Sequence, residues 1–242
     1  MAQSKEARST DEETLVIAIE GNIGSGKSTF LKELRHKYKE DETIGFVDEP
    51  VDAWEKIKDA TGKSILEKYY ENQEKYAFSF QMMAYISRLS AIRNALKKKY
   101  KILIMERSVF TDSAVFAKML HDDGKIEEIE YKIYMEWFRE FTNDLPPIYF
   151  VYVRAEPEIC FERILKRGRQ GEQISLAYLQ NCHKYHEEWL IREKVYIENC
   201  ILTLNANADL QTHTTTENGD SYLITEWRKT IDMWVNQSCQ II

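Results

Sequence analysis

Five short runs of mostly apolar residues recur along the chain, and longer stretches of mixed polarity separate them. The runs are rich in β-branched and other apolar side chains, which is typical of strands buried in a parallel sheet. They cover Leu15–Glu20, Thr43–Asp48, Lys101–Glu106, Ile148–Arg154 and Ile201–Leu204. Helical patterns lie between them, and this alternation is the signature of βαβ units. The pattern therefore predicts an α/β fold built on a parallel sheet.

The longest helical pattern runs from about Glu74 to Lys99. Others cover about Glu127–Asn143, Pro157–Arg167, Ser175–Tyr196 and Ser221–Val235. A polar stretch at Ala206–Asp220, with a Thr run and an Asn-Gly pair, predicts a surface loop before the last helix. Because no repeat and no linker divides the chain, we expect a disordered tail at residues 1–13 and a single domain at 14–242.

The first predicted strand leads into a glycine-rich loop, GNIGSGKS, at Gly21–Ser28. Its spacing fits the phosphate-binding loop G-x-x-x-x-G-K-[ST] in the required strand–loop–helix context. Glycines let backbone N–H groups turn inward around an anion, and the following helix directs its positive end at the same point. Lys27 would place a cation on the β- and γ-phosphates, and Ser28 would offer its hydroxyl to Mg²⁺.

The loop predicts binding of a nucleoside triphosphate. A Gly/Ser turn that merely precedes a lysine is the weaker interpretation, because every position of the motif matches. The loop alone does not separate a kinase from a GTPase or a motor. The residues expected to bind the triphosphate are Gly21, Asn22, Ile23, Gly24, Ser25, Gly26, Lys27, Ser28 and Thr29.

Composition narrows the class of protein. The chain has 242 residues, 43% hydrophobic and 30% charged, which suits one globular domain with a sizeable core. Its formal net charge of −7 disfavours a nucleic-acid partner, since a polyanion binds a basic face. The four cysteines have no C-x-x-C spacing, so we expect reduced thiols. No apolar signal core and no membrane-spanning run is found, which predicts a cytoplasmic protein with no membrane partner.

Cys182 and His186 are four residues apart in a helical pattern, which raises the question of a metal site. A structural zinc site needs four ligands, and two candidates are too few. Ordinary helix packing is the favoured interpretation.

Charged residues follow two of the predicted strands. Glu49 follows the second strand, and Glu106 and Arg107 end the third. Ligands of doubly wound sheets meet the carboxyl ends of the strands. One carboxylate could then act as general base toward a hydroxyl while the other acts on Mg²⁺. From spacing alone, simple capping of the following helices is equally supported.

Two further segments contain candidate binding residues. Arg163, Lys166, Arg167 and Arg169 lie close together near two glycines, which fits a lid that closes over a phosphoryl group. Favourable charges at a helix C-terminus are the alternative. Gln81, Ala84 and Arg88 share one face of the longest helix and could contact a base, although a packed helix is favoured from the residues alone.

Taken together, these segments resemble the deoxyribonucleoside kinases of the deoxycytidine, deoxyguanosine and insect-type group. The resemblance runs in family order from about Leu15 to Leu204, through IEGNIGSGKSTF, DEPVDAW, FSFQ, ISRL, ERSVFTD, RILKRGRQGEQ and LAYLQNCHKYHEEWL. The combination is much more specific than any single motif. It implies a P-loop kinase fold with a five-stranded parallel sheet, helices on both faces and an Arg-rich lid.

The resemblance also implies roles for particular residues. Glu49 would be the general base for the nucleoside 5′-hydroxyl, and Arg107 would steady that hydroxyl or the incoming phosphate. Glu106 and Ser28 would hold Mg²⁺, with ATP or another nucleoside triphosphate as donor. Tyr70 and Glu172 would bind the 3′-hydroxyl, and Gln81 would bind the base. The walls of the base site would be Trp54, Phe80 and Phe116. The lid cations would be Arg163, Arg167 and Arg169. A homodimer would form through the helices near 74–99 and 127–143.

The pattern departs from the family in two places. The segment between Trp54 and Tyr70 is shorter than in vertebrate deoxycytidine kinases. The lid is one residue shorter than the common form, with Gly171 where an acidic residue is usual.

The resemblance implies that base choice is set by Ala84, Arg88 and Asp112, which stand where family members that use deoxycytidine or purine deoxynucleosides carry a small residue, Arg and Asp. A carboxylate accepts a hydrogen bond from an exocyclic amino group, so we expect deoxycytidine, deoxyadenosine or deoxyguanosine to be favoured over thymidine.

Two other classes remain open at this point. A nucleoside monophosphate kinase, such as a thymidylate kinase, would share the loop and the lid but would need a second phosphate site. A non-enzymatic nucleotide switch would carry a guanine-specificity N-K-x-D motif, which the sequence lacks.

Overall fold

The structure is a computed structural model, and it describes residues 14–169, 174–192, 200–208 and 222–238. Its centre is a five-stranded sheet in the order β2-β3-β1-β4-β5. All four pairings are parallel, with Ile17 of β1 opposite Ile104 of β3 and Tyr149 of β4. The strands are β1 (Leu15–Glu20), β2 (Ile44–Val47), β3 (Ile102–Glu106), β4 (Ile148–Arg154) and β5 (Ile201–Asn205). The predicted α/β fold and its parallel sheet are confirmed.

Ten α-helices are assigned within the described residues. They are α1 (Lys27–Lys37), α2 (Val51–Lys56), α3 (Ile65–Glu71), α4 (Gln73–Leu96), α5 (Val109–Thr111), α6 (Lys118–Asp122), α7 (Glu128–Thr142), α8 (Pro157–Arg167), α9 (Leu176–Glu187) and α10 (Tyr222–Ser238). π-Helical turns follow α5 at Asp112–Ala117 and α9 at Glu188–Arg192. The first of these joins α5 to α6 and brings Asp112 and Phe116 toward the sheet edge.

Local capping fixes where several helices begin and end. Ser64 and Glu67 form a reciprocal capping box at the start of α3. The Asn72 side chain accepts from the backbone N–H of Lys75 and so caps α4. Gly168 ends α8 in the left-handed conformation, which glycine adopts without steric cost.

Helices cover both faces of the sheet because its central strands are apolar on both sides. Val16 and Ala18 of β1 face one core, which is filled mainly from α4, α7 and α9. Ile17 and Ile19 face the other, which α1, α8 and α10 complete. Successive side chains of a strand point to opposite faces, so a strand buried on both faces reads as one apolar run. The carboxyl ends of the strands are left to carry the polar residues.

Some expectations fall on residues outside the described part of the chain. These are the tail at 1–13, Tyr196, Ser221, Glu172 and the greater part of the 206–220 loop. The domain boundaries stay predictions. Within the described residues, no helix is both long and apolar enough to cross a membrane. The three cysteines described, Cys160, Cys182 and Cys200, are free thiols as expected.

Candidate active site

A cavity of about 1390 Å³ opens at the carboxyl ends of β1, β2 and β3. Every described residue that we predicted for the acceptor, the metal and the lid lines it. From the glycine-rich loop, Gly21, Asn22 and Ser25 are absent from the lining, whereas Lys27 and Ser28 face it. The sequence-predicted residues therefore converge at one place, the edge at which ligands of such sheets bind.

The glycine-rich loop needs its first glycine for a steric reason. Gly21 has φ +144°, and a Cβ there would lie 2.5 Å from the Val153 carbonyl oxygen on β4. The loop is held from behind by Asn22, whose side chain donates to the Leu179 carbonyl at 2.9 Å. A side chain at Gly21 would push the loop off the sheet, so only glycine lets the loop turn this tightly.

Lys27 starts α1 with its ammonium inside the loop. Its Nζ donates to the Asn22 carbonyl oxygen at 2.7 Å. Burial is the main cause that lowers the pKa of Lys27, to about 8, and the nearby Arg107 charge adds to it. An anion held by the loop would favour the charged form of this lysine.

Glu49 follows β2 and is shared by two arginines. Its Oε1 accepts from Arg107 NH1 at 2.8 Å and from Arg88 NH2 at 3.0 Å. Burial alone would raise the pKa of Glu49, but the charges of Arg107 and Arg88 outweigh it and lower the pKa to about 2. The carboxylate is therefore ionised at neutral pH and available as a hydrogen-bond acceptor.

Arg107 follows β3 in a left-handed backbone conformation, with φ 59°. Its guanidinium joins two parts of the site, since NH1 contacts Glu49 and NH2 donates to the Gly21 carbonyl at 3.2 Å. The same group lies over the Phe116 ring, 5.3 Å from its centroid. Arg107 thus lies between the phosphate loop and the aromatic part of the cavity.

Arg88 and Asp112 form a buried ion pair. Arg88 Nε donates to Asp112 Oδ2 at 2.9 Å, and both side chains are 2% exposed. The Arg88 guanidinium also donates to the Glu106 carbonyl oxygen at 3.0 Å. One arginine from α4 therefore joins Asp112, the end of β3 and Glu49 in a single network.

Ser28 and Glu106 provide the oxygen ligands that suit a magnesium ion. The Ser28 hydroxyl donates to Glu106 Oε1 at 2.7 Å, beside the phosphate loop. Mg²⁺ prefers carboxylate and hydroxyl oxygens together with phosphate oxygens. Hence this pair fits the ion that the sequence predicts there.

The inner end of the cavity is aromatic. Phe80 stacks on Tyr69 with centroids 4.6 Å apart and meets Trp54 edge to face at 5.3 Å. Gln81 lines the same cavity and is buried, and its Oε1 has no hydrogen-bond partner among the described residues. A buried acceptor without a partner is costly unless a ligand satisfies it. The chamber suits a flat heterocycle with a donor on its edge.

The basic helix α8 contacts the phosphate loop through Arg163. Arg163 donates to three backbone carbonyls: Ser25 of the loop at 3.1 Å, and Ala206 and Ala208 after β5 at 2.9 Å each. Arg167 and Arg169 are exposed and line the cavity. Arg163 thus ties α8 to the phosphate loop, whereas the other two lie at the mouth.

Comparison with known proteins gives a family. The family model described as deoxynucleoside kinase matches residues 17–232. The chain belongs to the deoxynucleoside kinase family. It is 35% identical to deoxycytidine kinase of Bos taurus over 223 residues, which covers 81% of this chain and 85% of the relative. It is also 35% identical over 198 residues to a probable deoxycytidine kinase of fowlpox virus, covering 80% and 79% of the two chains. Mitochondrial deoxyguanosine kinase of Xenopus laevis is 31% identical over 221 residues, with 81% and 82% covered.

This deoxynucleoside kinase is an ATP-dependent phosphotransferase of nucleoside salvage. Family membership confirms the resemblance and favours it over the nucleoside monophosphate kinase and the nucleotide switch. The metal alternative at Cys182 and His186 gains no support from the structure. His186 Nδ1 lies 2.7 Å from the Cys182 carbonyl oxygen, and burial lowers the pKa of this histidine to about 3. Both side chains belong to the packed interior, as helix packing predicts.

Sequence reasoning missed Tyr69, which lines the cavity, and Glu20, which is outside the lining but binds the segment after β3. Tyr69 stacks on Phe80 and shares a hydrogen bond with Tyr178 at 2.9 Å between hydroxyl oxygens. Glu20 is buried at the end of β1, and its carboxylate accepts from Ser108 and Thr111. Glu20 could have been identified from the sequence, because, like Glu49 and Glu106, it is a carboxylate at the end of an apolar run.

Proposed function

We propose that this kinase transfers the γ-phosphate of ATP to the 5′-hydroxyl of deoxycytidine, deoxyadenosine or deoxyguanosine, in preference to thymidine. The observation that carries the proposal is the buried Arg88–Asp112 pair beside the Gln81 chamber. Asp112 accepts from an exocyclic amino group, which cytosine and adenine carry. Arg88 donates to a purine carbonyl or holds Asp112 in place. Thymine offers a carbonyl in place of the amino group, so two acceptors would face each other.

Glu49 is the general base and orienting group for the 5′-hydroxyl. A carboxylate with a pKa of about 2 is a weak base. The phosphoryl-transfer transition state is loose, so the hydroxyl proton leaves late and a weak base is sufficient. The stronger contribution is orientation, because Glu49 holds the nucleophilic oxygen in line with the γ-phosphate. Arg107 shares Glu49 and reaches the loop, so it steadies the same oxygen or the incoming phosphate.

Charge on the transferring phosphoryl group is balanced by several cations. Lys27 contacts the β- and γ-phosphates, and the lid arginines Arg167 and Arg169 close over the group, while Arg163 holds α8 against the loop. Ser28 and Glu106 would hold Mg²⁺, which neutralises phosphate charge when bound. Since these cations meet charge that grows in the transition state, they act on turnover more than on acceptor binding.

The acceptor lies between the aromatic rings. Gln81 offers an amide donor and acceptor to the edge of the base, while Trp54, Phe80 and Phe116 wall it. Tyr70 lines the same cavity and, together with Glu172, binds the 3′-hydroxyl. Glu172 lies outside the described residues, so its part rests on the resemblance alone.

The assembly is a homodimer formed by α4 and α7. This proposal is supported by an apolar surface that we call the α4–α7 face. It consists of Ile86, 41% exposed, with Ile129, Ile133 and Trp137 at 61%, 42% and 45%. The last three lie four residues apart along α7 and form one stripe. A contiguous apolar stripe on a monomer surface marks an interaction site.

The deciding experiment offers each deoxynucleoside separately with ATP and Mg²⁺ and scores the monophosphate formed. We expect deoxycytidine or a purine deoxynucleoside to have the highest kcat/KM, with thymidine well below it. A second panel of deoxynucleoside monophosphates tests the monophosphate-kinase alternative, and diphosphate formation there would favour it. Thymidine as best acceptor would contradict the proposed base choice.

A further inference from the structure

Glu20 ends β1 and is fully buried one residue before the phosphate loop. Its carboxylate points toward the segment that follows β3. Oε1 accepts from the backbone N–H of Ser108 at 2.8 Å, and Oε2 accepts from the Thr111 hydroxyl in a short hydrogen bond. A carboxylate from one strand is therefore bound into the first turn of a helix that begins after its neighbour.

The contacts of Glu20 are those of a helix cap supplied from another element. Ser108 holds the N-cap position of α5, where a serine normally accepts with its own hydroxyl from the helix. Here the Ser108 side chain makes no such bond, and its buried Oγ has no partner within the part of the chain that the structure describes. Glu20 accepts from the amide of this N-cap residue, the part that an N3 side chain plays in a capping box.

The capped turn lies between two residues of the site. Arg107 precedes it in the left-handed conformation, which is strained for a non-glycine residue and persists where its surroundings enforce it. Consecutive amides enforce it here, since Arg107 N donates to the Ile19 carbonyl at 3.0 Å and Ser108 N donates to Glu20. Asp112 follows Thr111 directly and begins the π-helical turn. The β1 end thus fixes the backbone on both sides of the capped turn.

We propose that Glu20 is a positioning residue that sets Arg107 and Asp112 together, so that turnover and base choice both depend on it. Arg107 reaches Glu49 and the Gly21 carbonyl only from its present backbone conformation. Asp112 meets Arg88 only if the first turn of the helix keeps its register. This inference rests on the proposed function, because it concerns the same acceptor site.

The test compares substitutions that remove the capping contact with matched ones that keep it. Thr111→Val removes one hydroxyl at nearly constant volume, and Glu20→Ala removes the carboxylate. Thr111→Ser keeps the hydroxyl and serves as the conservative control. Ile231→Ala, in the core on the opposite face of the sheet, is a control for loss of stability alone. For each protein, the melting temperature, kcat, and the thymidine-to-deoxycytidine ratio of kcat/KM are measured.

We expect kcat to fall about tenfold in Thr111→Val and about 10²-fold in Glu20→Ala, since displacements near 1 Å have such effects. The base ratio should rise in both, while Thr111→Ser keeps wild-type values and Ile231→Ala lowers only the melting temperature. If Thr111→Val and Glu20→Ala melt earlier but keep the wild-type kcat and base ratio, Glu20 is purely structural and the inference is overturned. Failure of the proposed function is separate, because the wild-type protein would then already lack the expected acceptor preference.

Discussion

At the scale of single residues, one oxygen of Glu49 accepts from both Arg88 and Arg107. This sharing joins the residue proposed to activate the hydroxyl to the residue proposed to select the base. It also explains the low pKa of Glu49, because two cations favour its ionised form against burial. Any change at Arg88 therefore acts on catalysis as well as on base choice.

The substitution Glu49→Gln tests the catalytic role. We expect kcat to fall by about 10²–10⁴, the usual effect of losing a general base. Because the amide can still accept from Arg107, the deoxynucleoside Kd should stay close to the wild-type value. Turnover by Glu49→Gln near the wild-type rate would contradict the assignment. Asp48→Asn is the control, since Asp48 pairs with Arg35 at 2.9 Å and is 63% exposed.

The pH profile gives a second test at this residue. A depressed pKa means that the ionised form persists as pH falls, so Glu49 should lose function only near its own pKa of about 2. We therefore expect that protonation of Glu49 does not lower kcat at any pH between neutrality and the acid pH at which the protein unfolds. Arg88→Met removes one of the two cations and should move that protonation upward into the measurable pH range.

The double change Arg88→Met with Asp112→Ala should raise the thymidine-to-deoxycytidine ratio of kcat/KM. It removes the acceptor that opposes the thymine carbonyl and frees space for the methyl group. Arg88→Met alone leaves the buried Asp112 without its cation, which typically costs about 3–5 kcal/mol, whereas Asp112→Ala leaves Arg88 paired with Glu49 only. Singles and double together form a cycle in which the single effects should not add. If the double variant kept the wild-type thymidine-to-deoxycytidine ratio, Arg88 and Asp112 would not determine base choice.

At the scale of elements, the sheet could be predicted and the irregular helices could not. Buried parallel strands are continuous apolar runs, so all five could be identified, although Thr43 and Asp48 lie beyond the ends of β2. The short helices α2 and α3 have too few turns to display a period. The π-helical turn at Asp112–Ala117 follows from tertiary packing rather than from propensity. Contacts such as Glu20 to Ser108 depend on strand order, which composition and periodicity do not report.

The tight turn between β1 and α1 gives a prediction for Gly21. We expect Gly21→Ala to abolish ATP binding and to lower the melting temperature, because its Cβ would lie 2.5 Å from a backbone oxygen of β4. Gly62→Ala is the matched control, since Gly62 also has positive φ, +85°, but no described atom lies within 4 Å of its Cβ position. The Gly62→Ala control should lose about 1 kcal/mol of stability, because its backbone conformation is strained for alanine, and it should keep ATP binding. Equal behaviour of the two variants would count against the steric account.

The lid helix gives a contrast between two arginines. Arg163 is bound to backbone carbonyls of the loop and of the segment after β5, so Arg163→Met should raise the ATP KM. Arg167 lies at the cavity mouth, so Arg167→Ala should lower kcat with little change in deoxynucleoside KM. Steady-state kinetics with each substrate varied in turn separates the two patterns. If Arg167→Ala raised the deoxynucleoside KM and kept the wild-type kcat, Arg167 would not be stabilising the transition state.

At the scale of the whole molecule, α4 joins the chamber proposed for the acceptor to the α4–α7 face. It carries Gln81 and Arg88 toward the cavity and Ile86 toward the outside. Tyr85 lies between the two sides, with its ring against Tyr134 and Phe138 of α7 and its hydroxyl donating to the Trp137 carbonyl at 3.1 Å. The packing that positions the proposed base site is therefore the packing that shapes the proposed dimer surface.

The dimer proposal is tested by placing a charge at the middle of the α7 stripe. Ile133 has Ile129 and Trp137 one turn away on either side, so Ile133→Glu would bury a carboxylate at the centre of the interface. An unpaired buried charge costs about 3–5 kcal/mol. A two-fold interface contains each residue twice, so the substitution places two such charges there. The dimer Kd should therefore rise by at least about 10³-fold. Sedimentation velocity at micromolar concentration should then give a dimer for wild type and a monomer for Ile133→Glu. Met233→Glu, an equally exposed apolar position on α10 at 59%, should keep the dimer. A monomeric wild type, or a dimeric Ile133→Glu, would show that the α4–α7 face is not the interface.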